Sequence, residues 1–159
     1  MTNFSIRRAQ QGDEGTVLSL LRALADYEKL LDRFHIDADV VRRDYLGAQP
    51  LMHCDLAFEG GNAVGLATWY WTYHSFAARR GIFLEDLFVK PETRGKGYGK
   101  ALLAHLAKTV SAANGAQVEW EVLDWNKPSI DFYESIGATK PKDWLIYRLS
   151  GDALKKMAS

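Results

Sequence analysis

Apolar positions recur along this chain at two periods, and the switches between them mark its elements. Phe4 to Arg7 alternates as a short strand, and Gln10-Gln11-Gly12-Asp13 breaks it. Val17, Leu20, Leu21 and Leu24 follow at helical spacing, predicting an amphipathic helix through about Lys29. Asp37 suits the N-cap of a second helix, with Val40, Val41 and Tyr45 on one side and Gly47 as its stop. Met52 to Phe58 reads as a strand, Glu59-Gly60-Gly61-Asn62 as a tight hairpin turn, and Ala63 to about Tyr73 as the return strand. After a connection over 74–81, Ile82 to Val89 is a further strand, ended by Pro91. Leu102, Leu103, Leu106 and Val110 form the stripe of a helix from Tyr98 to Ala113, stopped by Asn114-Gly115. Gln117 to Leu123 predicts another strand, and Pro128 opens a short helix that Gly137 ends. Trp144 to Leu149 completes the strands, and Asp152 to Ala158 is a helical tail. The order β-α-α-β-β-β-α-β-α-β predicts an α/β (α+β) fold, a mixed sheet with helices on its faces.

Residues 84–99, LEDLFVKPETRGKGYG, do not fit packing alone. Glu85 and Asp86 interrupt an apolar strand, and neighbouring side chains on a strand point to opposite faces, so both reach one site only across a bulge. Each acid is also suited to a buried salt bridge. Three alternate glycines then precede a helix, although each costs about 1 kcal/mol in a helix relative to alanine. At a helix start the first amides lack intrahelical partners and the macrodipole adds positive charge. Glycines let an anion approach those amides, and Arg94, Lys96 and Lys100 supply charge.

The wider composition makes such an anion site a local matter. The 159 residues carry 20 basic and 20 acidic side chains, so no global field favours nucleic acid or an anionic membrane. The size is that of one domain, expected to span 1–159. The single cysteine, Cys54, fits a reducing compartment and a small buried hydrophobe. Without a secretion-type start or an eighteen-residue apolar run, the expected location is cytoplasmic, off the membrane. His35, His53 and His105 show no metal-ligand spacing with each other or with Cys54, so no metal is expected.

No Walker pattern can be laid over the glycine turn, and in the dinucleotide fingerprint the third glycine would fall at Lys100. What does match is Arg94-x-x-Gly97-x-Gly99 after a strand and opening a helix. It resembles the acyl-CoA pyrophosphate loop of the GNAT N-acetyltransferase superfamily, whose element order the chain follows along its length. Leu84-Glu85-Asp86 and Asn126-Lys127-Pro128-Ser129-Ile130-Asp131-Phe132-Tyr133, followed by Gly137-Ala138, resemble the diamine branch, the spermidine/spermine and thialysine acetyltransferases.

The resemblance implies a mixed sheet of about six to seven strands with about four helices, and acetyl-CoA as acyl donor. It implies cofactor contacts from Leu87, Phe88, Val89, Arg94, Gly95, Lys96, Gly97, Tyr98, Gly99, Lys100, Asn126, Ser129 and Tyr133. Backbone groups of Leu87 and Val89 would pair with pantetheine as an added strand does, the Leu87 amide polarising the thioester carbonyl. Glu85 would act as base through water, and Tyr133 as the acid protonating the leaving sulfur. Asn126 serves equally as a helix cap. Tyr27, Glu28, His74, Phe76, Glu85, Asp86 and Trp144 are the residues expected to meet the amine. In the spermidine/spermine enzymes an aspartate stands at the position of His74 and a tryptophan at Phe76, a departure that favours a short diamine or an amino acid with its own carboxylate.

The expected function is therefore acetyl transfer to a small primary amine (a diamine, a polyamine or a lysine-like amino acid) by direct attack, in a homodimer as is usual for the family. Two readings compete: acetylation of a protein N-terminus, a lysine side chain or an aminoglycoside, and a CoA-binding module without turnover.

Overall fold

The structure is a computed structural model that describes residues 3–159. The chain divides into two compact units, one running to Glu121 and one from Val122 to Ser159.

The first unit is built on five strands in the spatial order of the sequence: β1 (Phe4–Arg8), β2 (His53–Glu59), β3 (Asn62–His74), β4 (Arg79–Val89) and β5 (Val118–Trp120). Neighbours are antiparallel except β4 and β5, which run parallel. The β2–β3 turn needs positive φ at both central residues, and Gly60 and Gly61 adopt 55° and 83°.

One sheet face packs against α1 (Glu14–Tyr27) and α2 (Ala38–Asp44), where Val17, Leu20, Leu21, Leu24 and Val41 meet Cys54, Leu56, Leu66 and Phe88. As expected, Asp37 caps α2, accepting from the Val40 amide at 2.8 Å. Helix α3 (Tyr98–Ala112) buries Leu102, Leu103, Leu106 and Val110. Asn114 then takes a φ of 54°, and the Gly115 amide closes the end onto the Val110 carbonyl.

In the second unit, Asn126 caps α4 (Lys127–Ser135) by accepting from the Ser129 amide at 3.4 Å. Gly137, at φ 89°, lets the chain leave that helix, and the tail forms α5 (Gly151–Ala158).

The sheet is smaller than the sequence predicts. Trp144 to Leu149 forms no strand, and Trp144, Leu145, Ile146 and Tyr147 are largely exposed. A run of apolar residues becomes a strand only where a neighbour supplies a ladder, and no described residue does so there. Strand β5 is likewise shorter than Gln117–Leu123. It pairs with Ile82–Leu84 and stops where β4 leaves its register.

Candidate functional site

That departure is a β-bulge. Thr68 lies opposite Asp86 and Trp69 opposite Leu84, so Glu85 is the extra residue. An extra residue breaks the strict alternation of faces, and it resolves the paradox of two adjacent acids. Asp86 turns inward, accepting from the Thr68 hydroxyl at 2.5 Å, while Glu85 keeps part of its surface in solvent. Glu28 is the C-cap residue of α1 and Tyr45 that of α2, and the charge of Asp86 acts on both.

Electrostatics tie these groups together. Lost solvation raises the Asp86 carboxyl above its ordinary range, the Thr68 bond partly offsetting it. Lost solvation also raises Glu85, with the charges of Asp86 and Glu121 adding to it. Glu28 is raised for the same first reason and then by Asp86. Burial drives the Tyr45 phenol upward, with Asp86 the leading charge contribution. The last turn of α1 carries no basic residue of its own. The charge of Asp86 thus disfavours ionisation of both Glu28 and Glu85, and a cation placed beside it would relieve them.

Within the first unit, the described strands pair with β4 beyond the bulge only on the β3 side. The Lys90 amide donates to the Val64 carbonyl of β3 at 2.8 Å. By the alternation of strand amides, those of Leu87 and Val89 therefore point away from β3, toward the side where β5 has ended. An extended ligand can take up those amides there. Phe88 differs: its side chain is core, 4% exposed beneath the α1 layer.

The glycine turn follows directly. Gly95 and Gly97 take φ of 80° and 84°, and a Cβ at either would meet no atom within 4 Å, so the space over the turn is open. Gly97 is the N-cap of α3 and brings no capping side chain. This open, left-handed start fits a diphosphate, with the first amides of α3 as donors. Arg94 donates to the Val89 carbonyl at 3.1 Å and lies over the rings of Tyr27 (4.7 Å) and Phe88 (6.0 Å). Tyr27 thus sits under the arginine of the loop. Lys100 is exposed in the first turn of α3. Lys96 is engaged: both oxygens of Glu59 accept from its ammonium, at 2.8 and 3.1 Å.

The family to which this architecture belongs is now decided by comparison. The sequence pattern of the Acetyltransferase (GNAT) family matches residues 18–138. The chain belongs to that family. It is 36% identical to the thialysine N-epsilon-acetyltransferase of Sus scrofa, over 99% of each chain. It is 43% identical to the L-ornithine N5-acetyltransferase of Arabidopsis thaliana, over 57% of this chain and 40% of that one. Among solved structures, an integron cassette protein from V. cholerae superposes with a TM-score of 0.83 at 25% identity, covering 98% and 97%. The chain is thus a GNAT enzyme related to the thialysine and diamine branch.

Two of the expected residues of the first unit, His74 and Phe76, lie away from the bulge. His74 pairs with Arg79, five residues up the hairpin from Trp69, roughly 17 Å at strand spacing. Its Nε2 lies 3.5 Å from Glu119. Phe76 is fully exposed at the hairpin tip. In the second unit, Asn126 is buried, Ser129 is its capped partner, Tyr133 is half-buried beside Phe132, and Trp144 is exposed. Sequence reasoning passed over Tyr45 and Glu121. Tyr45 read as apolar helix face, and Glu121 as one polar position of a strand; their signal appears only once the bulge fixes which side chains converge. Cys54 is fully buried and its thiol is raised by that burial, as expected of a hydrophobe. Among the described residues no His, Cys, Asp and Glu group could hold a metal, and no helix is long and apolar enough to cross a membrane.

Proposed function

We propose that the chain is an acetyl-CoA-dependent N-acetyltransferase for a small primary amine, a diamine or a lysine-like amino acid, acting over 1–159 as one domain. The observation that carries this reading is the β4 bulge at Glu85, where strand pairing to β5 stops and the charge of Asp86 acts on both Glu85 and Glu28. Relatives named for a thialysine Nε and an ornithine N5 support an acceptor with a terminal amine on an amino-acid frame. The family pattern crosses from one compact unit into the other, which supports a single functional domain.

An alkylammonium of pKa near 10.4 is about one part in a thousand neutral at pH 7.4, which costs roughly 4 kcal/mol. Asp86 and Glu28 bind the cation and by doing so favour its charged form, so the proton must pass to another group. Glu85 is suited to it: its raised affinity for protons makes it a better base than an ordinary glutamate, and water reaches it. The Leu87 amide polarises the acyl carbonyl, while Arg94, Lys100 and the amides of residues 97–99 hold the diphosphate. The donor supplies a thioester, and Tyr133 serves as the acid for the departing thiolate, a role supported by its Asn126-to-Tyr133 motif.

Thiol release measured against a panel of amines with acetyl-CoA tests this. Thialysine, ornithine, lysine and short diamines should turn over, ahead of spermine and aminoglycosides. Binding of CoA without thiol release from any amine would support the regulatory module instead.

A further inference from the structure

Glu59 lies at the end of β2 and its carboxylate is shared by two residues of the glycine turn. Lys96 donates to both of its oxygens, and Tyr98 donates its hydroxyl at 2.5 Å. The arrangement is built. Tyr98 is 6% exposed and stacked on Phe4 with ring centroids 4.3 Å apart and planes 6° from parallel. The glutamate side chain is 17% exposed against 48% for the lysine. Both bonds hold the carboxyl below its ordinary range, so it is ionised throughout neutral pH. Lys96 stands between the two left-handed glycines, where its charge would otherwise face an anion at the start of α3.

We infer that Glu59 is an internal counter-anion for the coenzyme loop: it neutralises Lys96, lowers the affinity for CoA and so speeds release of the CoA product. The inference rests on the reading that this loop takes the diphosphate of CoA. Its chemical logic is that tight, uniform binding of donor and product adds nothing to turnover, whereas release often limits it. An exposed cationic loop would bind a polyanion strongly; a fixed carboxylate beside it subtracts from that field at short range.

Calorimetry with CoA alone tests it, because no acceptor or chemistry is involved. Glu59→Gln should tighten CoA about three- to tenfold at low salt, and the gain should shrink toward 0.5 M salt. Glu59→Asp keeps the charge and should bind as the unaltered protein does. The Glu59→Gln/Lys96→Met double variant should bind no more tightly than Lys96→Met alone, since the gain acts through the lysine. Glu59→Thr serves as a second uncharged variant if the glutamine form does not fold. Unchanged or weaker CoA binding in both uncharged variants overturns the inference, showing a purely positioning role. Failure of the unaltered protein to bind CoA at all would instead remove the reading of the loop, and this inference with it.

Discussion

Replacing Asp86 by asparagine keeps the shape of the side chain and its bond from Thr68 while removing one charge from the bulge. If Asp86 seats the substrate ammonium, the change removes a charge-assisted contact of about 1.5–3 kcal/mol. That corresponds to about a 10- to 150-fold loss in kcat/KM. The loss should fall mostly on the KM of the amine and leave CoA affinity alone. Stability should move the other way. The Asp86 carboxyl is raised in the fold, so its contribution is full below the unfolded value and lost as pH rises through the folded one. At neutral pH its ionised form costs stability, and asparagine escapes that cost. The Tm should hold or rise, at about 2–4 °C per kcal/mol for a chain this long. The acid limb of the pH–rate profile adds a third readout. If Glu85 is the base it must be deprotonated to act, and its pKa is raised first by lost solvation and then by Asp86. With the like charge gone, activity should persist to lower pH, yet not as low as an ordinary glutamate allows. Steady-state thiol release from pH 5 to 9, with thermal unfolding in parallel, gives all three. An unchanged amine KM together with a Tm lowered by several degrees would show that Asp86 is structural and refute the reasoning.

Tyr133→Phe should lower kcat about 100-fold with CoA affinity within twofold, measured by single-turnover kinetics and calorimetry; undiminished turnover would remove the tyrosine from the chemistry. Asp55→Ala should cost about 3 kcal/mol and about 10 °C in Tm. The 1% exposed carboxylate accepts from Trp69 Nε1 at 2.7 Å and from Arg8 Nε at 2.9 Å, and the exposed arginine end keeps the cost at the low end. A loss under 2 °C would contradict that account. Native Cys54 should resist iodoacetamide at pH 7.5 and react on unfolding, since burial raises its thiol; modification within minutes in the folded protein would show the site to be open.

The frame was legible wherever one residue type decides a backbone state. Asp37, the Gly60-Gly61 pair, Pro91, Asn114-Gly115 and Gly137 each mark an element end that the structure realises. The core was legible too, because Leu102, Leu103, Leu106 and Val110 bury at the spacing that announces them. Sheet pairing was not, since a ladder depends on a partner remote in sequence: Trp144–Leu149 has the composition of a strand and no strand neighbour among the described residues. Glu85 and Asp86 stood out as anomalies, but only the register shift shows that Glu85 is the extra residue of a bulge. The bond from the Lys96 ammonium to a glutamate 37 positions away was equally hidden in the sequence, since nothing local marks Glu59 as its partner.

A crystal structure of the protein with CoA and ornithine or thialysine tests the central claim most directly. The account predicts the diphosphate on the amides of residues 97–99, pantetheine along Leu87 and Val89, and the acceptor nitrogen held by Asp86 and Glu28 with a water on Glu85. An acceptor bound away from the β4 bulge, or a coenzyme that bypasses the glycine turn, would contradict it.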